Sequence, residues 1–288
     1  MSGSLGGYAK FYETEPTQID DDGTRTWFTG GRNFVIAYSS VTADGRLDRA
    51  DHPDEYFVFL PGIEATIVTA EGERRVGAAD RDTVVVVPPG DSSVRAHASG
   101  DIWRFFTAEA ADLRPYRQEL DNDAVVAAPV YFPRPTGGYR VRVYDLAGLG
   151  ASTRAQVLQT RSLMINVLKP VVERRSVTEL SPHSHDDFQQ GSVAVRGVFV
   201  HHQRRPWGRN KLAWAADDHE VCASPSVAVI QPGDVHTTEE IGTGVSQLVD
   251  LFCPPRLDFA LTEGMVLNAG EYPLPPAGAV RAGGVVEG

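Results

Sequence analysis

Apolar residues along the chain gather in short runs rich in Val, Ile, Phe and Tyr, each closed by Gly, Pro, Asp or Ser. The clearest are FVIAYSSV (34–41), YFVFLPG (56–62), TVVVVPPG (83–90), SLMINVLKP (162–170), SVAVRGVFV (192–200) and SVAVIQPG (226–233). Runs of this length, bounded by turn formers, predict strands. Helical periodicity is scarce. Its best stretch is TAEAADLRPYRQELDNDA (107–124), which Pro115 interrupts. Many short strands with frequent turns predict an all-β protein of the jelly-roll kind.

The two halves echo each other. RNFVIAYSSV (32–41) corresponds to RSLMINVLKP (161–170), and DEYFVFLPG (54–62) to QQGSVAVRG (189–197). TVVVVPPGDSSVRA (83–96) corresponds to SVAVIQPGDVHTTE (226–239), with Gly90 on Gly233, and DIWRFFT (101–107) to QLVDLFC (247–253). Four correspondences in one order predict a duplicated β-domain, with a period too long for a solenoid. The expected division is 1–128 and 129–288, near the linker-like FPRPTGG (132–138).

Composition narrows the class. At 288 residues and 42% hydrophobic, each half can bury a core of its own. Lys+Arg 27 against Asp+Glu 38 gives a net charge of −11, which disfavours nucleic acid and anionic membranes as partners. No apolar run approaches the roughly 20 residues that span a bilayer, and MSGSLGGYAK lacks a signal-peptide core. A cytoplasmic location is the expectation. Cys222 and Cys253 match no zinc or redox spacing and are expected as buried free thiols.

Of eight histidines, three fall into a pattern. His183 and His185 form His-Ser-His in SPHSHDDFQQGSVAVRG (181–197), and His236 closes QPGDVH (231–236). On a strand, residues two apart share a face, so His183 and His185 can look into one interior. With a third imidazole from another strand end they make a plausible transition-metal site.

These segments resemble the two signatures of the cupin superfamily. In the first, His183-x-His185 is followed by Gln190 after four residues and by Gly197 after six more, with Gln where Glu is usual. In the second, Pro232-Gly233 leads to His236; Gln231 stands where some members carry proline, and Val177 replaces the initial glycine of the first signature. With the duplication, the resemblance implies a bicupin: two tandem jelly-roll barrels, a C-terminal metal site and a degenerate N-terminal one. The implied ligands are His183, His185, His236 and Gln190, with Gln189 the alternative fourth. The N-terminal copy, ADHPDEYFVFLPG (50–62), keeps His52, Glu55 and Gly62 but has Ala50 and, later, Ser93 where histidines stand. His52 is expected as a turn or surface residue.

The resemblance implies one divalent transition metal, Fe(II) in preference to Mn, Ni or Zn. It implies a small-molecule substrate, anionic or phenolic, and dioxygenase-type chemistry. An isomerase or epimerase on a sugar-derived or keto acid, and a non-catalytic binding bicupin, stand as alternatives. A homodimer is compatible with the sequence. The segment HHQRRPWGRNKLAWAADDHE (201–220) offers Arg204 and Trp207 as weak substrate-binding candidates, or is a solvated hairpin loop; Asp186, Asp187 and Glu239 are acid–base candidates or plain turn residues.

Overall fold

The computed structural model describes residues 5–117, 131–149, 154–186, 188–276 and 285–287. The apolar runs become strands where expected, and they form four antiparallel sheets. One sheet has the order Arg142–Asp145, Asp82–Val87, Tyr56–Pro61, Gly100–Thr107, Phe34–Val41, Arg25–Gly30, Gln18–Ile19. Facing it inside the first barrel are Arg46–His52, Gly90–Ala96, Ala65–Thr69 and Gly72–Val76.

The second half repeats this plan. Its inner sheet runs Gly7–Lys10, Ser226–Ile230, Gln190–Arg196, Gln247–Phe252, Met164–Leu168, Ala155–Gln159. Its outer sheet runs Asp218–Ala223, Val198–Arg204, Val235–Glu240, His183–His185, Val285–Glu287. Every strand matched by an echo occupies the same place in its sheet. The run SVAVRGVFV splits into two strands at Gly197, whose φ of 96° suits glycine; a Cβ there would meet the Ser246 backbone at 2.9 Å.

The unbroken apolar runs have a physical reason. In Phe34–Val41, Val35 and Ala37 face the first barrel's interior, whereas Phe34, Ile36 and Tyr38 face a core shared with Ile165, Val193, Val227 and Val249 of the other half. Both faces of this sheet are buried, so period-two alternation of polarity disappears and TVVVV results. Each fully buried aliphatic or aromatic side chain contributes about 1.5–3 kcal/mol, which makes this shared layer a principal bond between the halves.

The halves also exchange strands. Arg142–Asp145 pairs with Asp82–Val87 of the first barrel, and Gly7–Lys10 pairs with Ser226–Ile230 of the second. Arg196 bridges to Asp82 at 3.0 Å, and Arg161 to Asp54 at 3.1 Å. The 128/129 division lies outside the described residues.

One expectation changes. Over 107–117 the only helical turn is the 3-10 segment Arg114–Tyr116, where Pro115 sets the backbone, and 118–124 lie outside the described residues. Near the C-terminal end, Glu271 accepts from Arg142 Nε at 2.6 Å and Tyr272 donates to Glu55 at 3.1 Å, both against the first barrel. Residues Val285–Glu287 form a strand on His183–His185. Both cysteines are buried and unpaired. Among the described residues no helix is long and apolar enough to cross a membrane.

Candidate metal centre

The strand His183–His185 lies against Val235–Glu240 with His183 directly opposite His236. Two-residue alternation turns His183 and His185 to one side, and the register brings His236 to meet them. The rings stand 4.4–5.2 Å apart between centroids, and the nitrogen donors all lie within 4.8 Å of one another. His183 Nδ1–H donates to the Ser181 carbonyl at 2.9 Å, and His236 Nδ1–H to the Asp234 carbonyl at 3.0 Å. Each bond fixes the tautomer and leaves Nε2 with a bare lone pair. His236 Nε2 is buried with no hydrogen-bond partner. Burial pushes His185 down to about 2 and His236 to about 4, so both are neutral at pH 7, the form that binds metal. An orphaned buried imidazole nitrogen beside two further imidazoles fits a transition metal.

The adjacent glutamines part company. Gln190 places Oε1 3.1 Å from His185 Nε2, while its amide donates to Asp250 at 3.0 Å. Asp250 also accepts from the Ser192 hydroxyl at 3.0 Å, and burial raises its carboxyl pKa. Asp250 therefore fixes which end of the Gln190 amide faces the histidines. Gln189 is engaged elsewhere: its amide donates to Gln231 at 2.9 Å and its oxygen accepts from the Arg32 backbone at 2.6 Å, across the barrel boundary.

A cavity of about 220 Å³ adjoins the cluster, lined among others by His183, Gln190, His236, Asp250, Phe252 and Arg256. Arg256 is buried, pairs with Asp258 at 2.5 Å and sits 3.6 Å from the Phe259 ring centroid. Arg154 and Arg175 line the same cavity. Neither Asp250 nor Arg256 stood out in the sequence. The signal for Asp250 was a carboxylate inside the apolar strand QLVDLFC.

The weaker candidates lie further out. Arg204 is ion-paired with Asp217 and shares with His236 a separate cleft of about 160 Å³. Trp207 is 73% exposed and stacks on Trp214 at 4.5 Å. Asp186 is exposed, Glu239 lies 3.3 Å from His202, and Asp187 falls outside the described residues.

The first barrel corrects two expectations. His52 is only 2% exposed, packed edge-on against Tyr56 and Phe106, rather than lying at the surface. Glu55 does not stand in for Gln190. Tyr56 pairs with Val87 as Gln190 pairs with the matching Ile230, so Tyr56 holds that place. A one-residue bulge between Ala194 and Arg196 accounts for the slip. Glu55 turns instead to Arg142 at 3.4 Å, with burial raising its pKa to about 7. Among the described residues, no second group of three metal donors occurs.

No family model and no curated protein matches the chain. Solved structures do. Oxalate decarboxylase from Lactobacillus farciminis, in complex with formate, superposes with a TM-score of 0.57 at 12% identity, over 88% of this chain and 87% of that one. Oxalate decarboxylase from Bacillus subtilis gives 0.57 at 12% identity, over 91% of this chain and 82% of that one. A cupin 2 conserved barrel domain protein from Leptotrichia buccalis gives 0.49 at 8% identity, over 86% and 96%. Sheet order, repeated plan and superposition agree, and the chain has the fold of the two-barrel cupins.

Proposed function

We propose that this chain is a metal-dependent enzyme whose second barrel holds one divalent transition metal through His183, His185, His236 and Gln190, and that it performs dioxygenase-type chemistry on a small anionic or phenolic metabolite. The convergence of three imidazoles, with the bare Nε2 of His236 buried among them, carries the reading. Four neutral donors leave the charge of a dipositive ion uncompensated, so the site favours an anionic substrate by direct coordination; bound Fe(II) would supply that Lewis acidity and electrons for reaction with O₂.

The chain's own residues prepare the site. The carbonyls of Ser181 and Asp234 hold His183 and His236 with Nε2 inward. Asp250 and Ser192 hold the Gln190 amide with its oxygen towards His185. Phe188 stacks on His185 at 4.7 Å and, with Phe252, keeps water from that side. Arg256 and Arg175 add positive charge to the cavity where a carboxylate or phenolate would enter.

The test is elemental analysis of protein purified without chelator or affinity-column nickel, beside His183→Ala/His236→Ala. About one equivalent of iron in the wild type alone, with oxygen uptake on catechols, diketones or hydroxy-aromatic acids, is the expected result. Manganese, nickel or zinc without oxygen uptake would replace the oxygenase reading with an isomerase. Carbon dioxide released from oxalate, the substrate named for the structural neighbours, would replace it with decarboxylation. No metal after anaerobic Fe(II) loading would overturn the metal-dependent reading.

A further inference from the structure

The first barrel has its own opening at the end that corresponds to the metal centre, a cavity of about 740 Å³. Its floor carries Arg104, on Gly100–Thr107. Trp103 and Phe105 turn to the shared core between the barrels, so Arg104 points inward with Ile102 and Phe106. The side chain is 5% exposed, and among the described residues no carboxylate contacts its guanidinium, Asp20 and Asp48 acting on it only from further off. Its only side-chain hydrogen bond there is a 3.5 Å contact from Nη2 to Ser39, and Nε has no partner. The guanidinium lies 5.6 Å from the Phe106 ring centroid. A buried cation without a counter-ion is strongly unfavourable unless something supplies the charge. Burial accordingly pushes Arg104 down to about 10.

The position itself is informative. Arg104 sits opposite Ala37, and Asp250 sits opposite the matching Asn166, so the two occupy one place in the duplicated sheet. In the second barrel the carboxylate there orients a donor towards a cation site. In the first the charge is reversed, Tyr56 replaces Gln190, and Ser93 replaces His236.

We propose that the first barrel binds a small monocarboxylate with a flat apolar body, its carboxylate paired with Arg104. Phe106, Leu47, Leu113 and the stacked pair Phe28–Tyr116, 4.3 Å between centroids, give the body an apolar wall. Arg49 adds charge beside Arg104, although Asp112 pairs with it at 2.6 Å. Asp20, Asp21, Asp22 and Asp48 also line the cavity, and this acidic rim repels a polyanion more strongly than a monocarboxylate.

Benzoate serves as the probe, with sulfate as the polyanion control, in calorimetric titrations and thermal melts. His236→Ala removes the metal centre as a competing site. Benzoate should bind wild type and His236→Ala alike at millimolar concentration, sulfate should not, and Arg104→Met should weaken benzoate by about tenfold or more. Without ligand, Arg104→Met should melt higher than wild type, because it removes an uncompensated charge. Should Arg104→Met fail to fold, Arg104→Lys keeps the charge but loses the planar fork, and should still weaken benzoate. Benzoate binding that vanishes in His236→Ala and survives in the Arg104 variants would overturn the proposal, as would no binding to wild type.

Discussion

Gln189 and Gln190 are chemically identical neighbours that the fold puts to different uses. Gln190→Ala should lower metal affinity by about ten- to a hundredfold, read by chelator competition, because it removes the amide oxygen that Asp250 aims at the histidines. Gln189→Ala should leave metal content unchanged and cost about 1–2 kcal/mol in denaturant unfolding, the worth of its two hydrogen bonds. Equal metal loss in both variants would refute this division. The histidines were legible in the sequence because strand periodicity alone places two of them together. Asp250 was not, since its partner lies 60 residues away and nothing local marks the pairing. The echo DIWRFFT/QLVDLFC did contain the Arg104–Asp250 reversal, but its meaning depended on both residues pointing into barrels.

At the scale of elements, strands buried on both faces were the easiest to read, as TVVVV shows. GYAK was invisible: a short stretch with a glycine has little strand propensity, and it is extended because the edge of Ser226–Ile230 gives its backbone groups partners. Lys10 reinforces the docking by pairing with Glu220 at 2.5 Å. Deleting residues 1–10 should bare the hydrogen-bonding edge of Ser226–Ile230, lower the melting temperature and promote self-association. Size-exclusion chromatography across a concentration series reads the association; a deletion that stays monomeric with unchanged melting would show the strand to be dispensable.

Across the whole molecule, buried titratable groups shape stability against pH. His52 takes no proton in the folded state until about pH 3, whereas an unfolded histidine does so near 6.5. The unfolded chain therefore binds more protons in that window, and stability falls as pH drops through it, by up to about 1.4 kcal/mol per pH unit. His52→Asn should flatten this slope in denaturant titrations at stepped pH; an unchanged slope would mean the ring is protonated when folded. Glu55 acts in the opposite sense. Its folded pKa of about 7 lies above the ordinary 4.5, so the stability that its proton confers is lost as pH rises to 7, and Glu55→Gln should gain most above that. The exchange of strands also fixes an order in time. Residues 7–10 leave the ribosome long before residues 226–230, roughly ten to forty seconds earlier at ordinary rates of synthesis. The strand Gly7–Lys10 must therefore wait unpaired for its seat, and this part of the sheet closes only after residues 226–230 have been made.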